Sequence, residues 1–152
     1  MKSAISLYII SMANLMLSCN DHNTANLAPE YLFDAGNQKV IKSIINNKEG
    51  TIAMLYGNDL ALQSAYDSLQ MPSAGTRYTL VTWKQKAMAQ WYGTNMNGEI
   101  YSIEILKIVK RSKAKLTFDY NLQPRKGYKH DWREEKRQRI NFITSQRGAT
   151  FP

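Results

Sequence analysis

Few residues in this chain are of types that do chemistry. Its 152 residues hold 2 histidines and 1 cysteine. His22 and His130 lie far apart, with no His-x-x-x-His spacing, so a zinc triad cannot be assembled. His130 stands between Lys129 and Asp131 and reads as an exposed loop histidine. A Ser-His-Asp arrangement would have to use it, and no nucleophile elbow surrounds any serine. There is no glycine loop to cradle a phosphate. Glu134 and Glu135 sit in a very basic stretch and read as solvated ion-pair partners. No catalytic residue emerges from these patterns, and none that would hold a metal.

Two charged residues are of another kind. Arg77 and Glu104 both fall inside apolar, strand-like runs. A carboxylate buried there must be paired or neutralised. The expectation is that Glu104 accepts hydrogen bonds from a strand neighbour, with Arg77 as the first candidate. Such a pair is either a salt bridge within the sheet or the polar spot of a ligand pocket. Around it the sequence places Tyr56, Tyr78, Trp83, Trp91 and Tyr92, which are either stacked core or the lining of that pocket.

The elements that must position these groups follow from periodicity. Residues 76–85 are rich in β-branched and aromatic types. Tyr78 and Leu80 point one way, Val81 and Trp83 the other, as in a central strand covered on both faces. Upstream, Val40, Ile41, Ile44 and Ile45 recur at helical spacing and predict a helix over 37–46. Residues 51–56, between Gly50 and Gly57, read as a strand. Asn58 or Asp59 can cap a second helix with Leu62, Ala65, Tyr66 and Leu69 on its apolar stripe. Downstream, 91–95 reads as a short strand and Asn97-Gly98 as a hairpin turn. A long strand follows over 100–109, then a basic turn over 110–113. Leu116, Phe118, Tyr120 and Leu122 alternate with polar residues as in a half-exposed strand. Asp131 can cap a last helix over 132–145. Trp132, Ile140 and Ile143 mark its apolar side, and Lys136 and Arg139 fall on that same side with stems able to lie along a core. The order is helix, strand, helix, four strands in a meander, helix. It predicts a single α+β domain, an antiparallel sheet packed with helices.

The chain carries a net charge of +8 and 43% hydrophobic residues, ordinary for one globular domain. Residues 1–18 have a positive start at Lys2 and an apolar run too short to span a bilayer, which fits a secretory signal peptide. The sole cysteine, Cys19, follows Met16-Leu17-Ser18, similar to a bacterial lipobox. The expectation is a lipidated cysteine and a flexible tether over 19–36, with the domain over 37–152. That places the protein on a membrane of the bacterial envelope. Residues 106–152 hold 13 Lys/Arg and 4 acids, hence +9, against −1 for the rest. An exported protein seldom meets nucleic acid, so this basic third is either an attraction for anionic lipid or polymer, or a solvated face.

Leu80-Val81-Thr82-Trp83-Lys84-Gln85 followed by Trp91-Tyr92-Gly93 resembles a block of the cytochrome P-460 family, in its lipoprotein branch from Bacteroidetes-type bacteria. Met54-Leu55-Tyr56-Gly57-Asn58, Ser102-Ile103-Glu104 and the tail Ile143-x-x-Gln146-Arg147 agree with it, in order, over roughly residues 40–152. The resemblance implies a sheet-based fold with a c-type haem, dimers, and hydroxylamine oxidation or the binding of nitric-oxide-type ligands. The chain departs from the family at the haem: it has no Cys-x-x-Cys-His, so neither thioether nor the adjacent axial histidine can form. What transfers is the scaffold. The reading is a haem-less, non-catalytic domain that binds a small ligand or an envelope partner. The alternative is non-covalent haem, for which His130 is the candidate ligand; nothing marks Tyr78, Tyr92 or Met96 for that role.

Overall fold

The computed structural model describes residues 33–67, 69, 71–87, 95–110, 115–124 and 132–148, with side chains of the last stretch from 135 onward. The strands are β1 (Lys39–Asn46), β2 (Thr51–Gly57), β3 (Arg77–Ala87), β4 (Asn95–Lys110) and β5 (Leu116–Pro124). Helix α1 (Asp59–Tyr66) lies between β2 and β3, and α2 (Trp132–Ser145) follows β5. The five strands form one antiparallel sheet in the order of the chain, β1-β2-β3-β4-β5. The α+β meander expected from the sequence is therefore present.

Two elements differ from expectation. Residues 39–46 form a strand and not a helix. Val40, Ile41, Ile44 and Ile45 satisfy either period, and β-branched side chains sit more comfortably on a pleated surface. A bulge between Val40 and Lys42 turns Ile41 inward. Ile41 is buried while Val40 and Ile45 stay exposed, which a helical stripe would not produce. Residues 46–50 are the hairpin turn: the Glu49 N–H donates to the Asn46 side chain, and Gly50 takes a positive φ of 59°. The second difference is at Asn97-Gly98. These residues do not turn; β4 runs through them, with Asn97 opposite Gln85. The register slips there, and a Cβ on Gly98 would lie 2.9 Å from the Lys84 carbonyl oxygen. The glycine serves close strand approach at a bulge. Of the expected short strand, only its last residue, Asn95, is described; Trp91 and Tyr92 lie outside the described residues.

The remaining elements form where expected, but the buried side of α1 is Ala61, Ser64 and Ala65; of the expected stripe Tyr66 is exposed and Leu69 lies beyond the helix end, also exposed, because the helix stops at Tyr66. Asn58 caps α1 by accepting from the Ala61 N–H, and its amide also ties β3 through the Arg77 N–H and the Gly75 carbonyl. Both helices cover one face of the sheet. Ala61 and Ala65 of α1 and Ile143 of α2 close a core with Ile41, Leu55, Tyr78, Leu80, Leu106 and Ile108. On the opposite face Ile52, Val81 and Trp83 are also buried, so β3 is covered on both sides, as its residue types predict. Phe33 packs against the Tyr56 ring on that second face, 5.4 Å between centroids, so the folded part includes residues placed in the expected tether. The expected signal peptide and lipobox, with Cys19, lie outside the described residues.

Candidate functional site

Between α2 and the sheet lies a cavity of about 430 Å³. Its floor is made by the middle of β4 and β5 and by one turn of α2. Glu104 is on the covered face of β4, in register with Leu80 on one side and Leu122 on the other. It is only 3% exposed. A lone carboxylate could not stay charged there, and three donors meet it. Arg139 donates through Nε to Oε2 at 2.9 Å and through Nη2 to Oε1 at 2.6 Å. The Tyr120 hydroxyl donates to Oε2 at 2.7 Å.

Each partner is there for a local reason. Tyr120 belongs to the alternating set of β5, on the same face as Leu122 and one step diagonally from Glu104. Arg139 lies one helical turn before Ile143, which is fully buried, so the helix that inserts Ile143 must aim Arg139 inward too. Its guanidinium lies 4.8 Å from the Phe142 ring centre, which holds the stem against apolar surface. Burial, the hydrogen bond to Glu104 and that carboxylate's negative charge together hold the Tyr120 hydroxyl well above the usual tyrosine range, despite the nearby Arg139. It stays a neutral donor.

Higher up, the walls carry both charge signs. Lys84 Nζ stands 4.2 Å over the Tyr101 ring, and Lys136 Nζ 6.0 Å over the Tyr120 ring. Glu49 and Glu135 face the same space, with the hydroxyls of Thr51, Thr82 and Ser102. The arrangement has a fixed, internally neutralised floor and adaptable charged walls, which suits holding a small polar molecule. Among the described residues it offers no nucleophile paired with a base. None of the described lining residues is a histidine, cysteine or methionine, and the Tyr120 hydroxyl is committed to Glu104. Among the described residues, no three His, Cys, Asp or Glu side chains come together as a metal site.

The expected partner of Glu104 is corrected. Arg77 is exposed and lies on the opposite face of the sheet, across from Lys107. It borders a different space, with Phe33, Gln38, Thr79 and Ile103. An odd number of positions separates Arg77 from Leu80, the residue paired with Glu104, and alternation sends the two side chains apart. Of the aromatic set, Tyr78 is core: its hydroxyl is 2.8 Å from Ser64 Oγ of α1. Burial raises its pKa, opposed in part by that hydrogen bond and by the charge of Arg147. Tyr56 lies on the opposite face, where its hydroxyl meets Met54 Sδ at 3.3 Å, and Trp83 is buried on that face too. None of these three lines the cavity; of the expected lining residues that are described, only Glu104 does. Trp91, Tyr92 and His130 lie outside the described residues. Neither a protein-family model nor a curated protein matches the chain.

Proposed function

We propose that the chain is an envelope-tethered binding domain, a cytochrome P-460-like scaffold that works without haem and takes a small polar ligand between its sheet and α2. The cavity floored by Glu104, Arg139 and Tyr120 carries this reading. A buried ion pair is a costly way to fill a core, since apolar residues of similar volume do it at least as well. Its position at the bottom of an accessible, polar-walled space supports a role in binding. Lys84 and Lys136 line that space together with Glu49 and Glu135, which favours a ligand bearing both an anionic and a cationic group, of the amino-acid class. The family blocks around Trp83 and Glu104 and the lipobox at Cys19 support the scaffold and the tether.

Thermal unfolding of the full chain against a panel of amino acids and small organic acids tests the binding. At least one member should raise Tm, and the rise should disappear in the Lys84→Ala/Lys136→Ala variant. A panel without effect, or a rise that survives both substitutions, counts against the site. Haemin added to the full chain should give no sharpened Soret band; a stoichiometric one would replace this reading with the haem-binding alternative. The tether is read from the intact mass of chain recovered from a bacterial envelope. Acyl mass on Cys19 is expected, and an unmodified thiol refutes it.

A further inference from the structure

The face of the sheet turned away from Glu104 holds a second space, of about 600 Å³. Its floor is Thr79 of β3 with Ile105 and Ile103 of β4, Thr79 standing directly opposite Ile105. Its wall is the turn over 33–38 that leads into β1. There Asp34 Oδ1 accepts from the Gly36 N–H at 2.8 Å, Gly36 takes a positive φ of 58°, and the Gln38 N–H donates to the Ala35 carbonyl at 3.2 Å. The Thr79 hydroxyl ties wall to floor by donating to Gln38 Oε1 at 2.9 Å. The Gln38 amide nitrogen is buried and has no hydrogen-bond partner.

Arg77 closes one end of this space. Asn58 clamps its backbone from both sides: the Asn58 N–H donates to the Arg77 carbonyl, and the Asn58 side chain accepts from the Arg77 N–H, each at 3.1 Å. The Arg77 guanidinium is exposed and forms no ion pair among the described residues. Directly across the ladder stands Lys107, also exposed and also without an ion pair there. Like charges in opposed positions of an antiparallel pair repel. The nearby acids do not quench them. Asp34 is turned to the Gly36 N–H, and Asp119, across from Lys107, forms no ion pair with it.

Two unquenched cations at the end of a space floored by isoleucines suit an anion with an apolar tail. Ile105 is two residues along the ladder from the Arg77 row, about 7 Å, and Ile103 is two residues further. We infer that this face binds a short-chain carboxylic acid. Its carboxylate pairs with Arg77, Lys107 adds attraction at longer range, and its tail lies over Ile105 and Ile103. Where the turn over 33–38 yields slightly, a carboxylate oxygen supplies the acceptor that the Gln38 amide lacks. This site does not depend on what the Glu104 cavity binds, since the sheet separates the two.

The test titrates sodium hexanoate into the isotopically labelled full chain at low ionic strength and follows the backbone amide signals. Saturable shifts are expected at Arg77, Thr79, Ile103 and Ile105, and none at Tyr120 or Arg139 around the other cavity. Arg77→Ala should weaken binding about tenfold, with the remaining signals in their wild-type positions. Lys84→Ala/Lys136→Ala should leave it unchanged. Hexanamide has the same length without the charge, and acetate has the charge without the tail. Each should bind at least about tenfold more weakly than hexanoate. The absence of a saturable shift, shifts confined to the Glu104 cavity, an affinity unchanged by Arg77→Ala, or acetate binding as well as hexanoate overturns the inference.

Discussion

Arg139→Ala isolates the interaction on which the cavity floor depends. It removes two hydrogen bonds, at 2.9 and 2.6 Å, from a carboxylate whose side chain is 4% exposed. Tyr120 remains as a donor, but it brings no positive charge. The carboxylate is left buried without its counter-charge, and breaking one side of a buried, hydrogen-bonded pair costs about 3–5 kcal/mol. The Arg139 side chain is 32% exposed, so water can enter where it leaves and lower the cost. The expected loss is therefore about 3 kcal/mol at neutral pH, at the low end of that range. Urea unfolding followed by circular dichroism measures it. A loss below about 0.5 kcal/mol would refute the reasoning.

Three further outcomes are expected. Tyr120→Phe should cost about 1.5 kcal/mol at neutral pH through the lost hydrogen bond to Glu104. The raised pKa of Tyr120 makes its contribution fully present below the ordinary value of 10.0 and lost as pH climbs through the folded value, so the alkaline fall in stability should be shallower in the phenylalanine variant. Tyrosinate absorbance during a titration should lose its latest component. Gly57→Ala would bring a Cβ to 2.6 Å from both Ala61 Cβ and Ile41 Cδ1; because Ala61 belongs to the α1 backbone and cannot swing aside, denaturant unfolding should show a loss of about 2 kcal/mol. Arg77→Ala, at an exposed position away from Glu104, should change stability by less than about 0.5 kcal/mol, and a loss like that of Arg139→Ala would contradict the pairing seen here.

Most of the elements were legible because their signals are local. The capping Asn58, the two-faced apolar pattern of β3 and the alternation of β5 each depend on neighbours within a few residues. The first strand was not, because pairs of β-branched residues satisfy a period of 3.6 as well as a period of two once a bulge is allowed. Asn97-Gly98 has the composition of a turn, yet the glycine is needed for the approach of Lys84, which is distant in sequence.

By itself, the sequence determined that Glu104 would be an anion within apolar surroundings and must find donors, and that Arg139 would share the buried side of its helix. Both follow from side-chain periodicity along one element. Only the tertiary structure decided that these two residues, 35 positions apart, meet each other while Arg77 faces away. That choice depends on strand register and on which face of the sheet α2 covers. Both are settled by packing between elements, where the free energy of burying Ile143 beside Leu106 and Leu80 outweighs any preference a single segment could express.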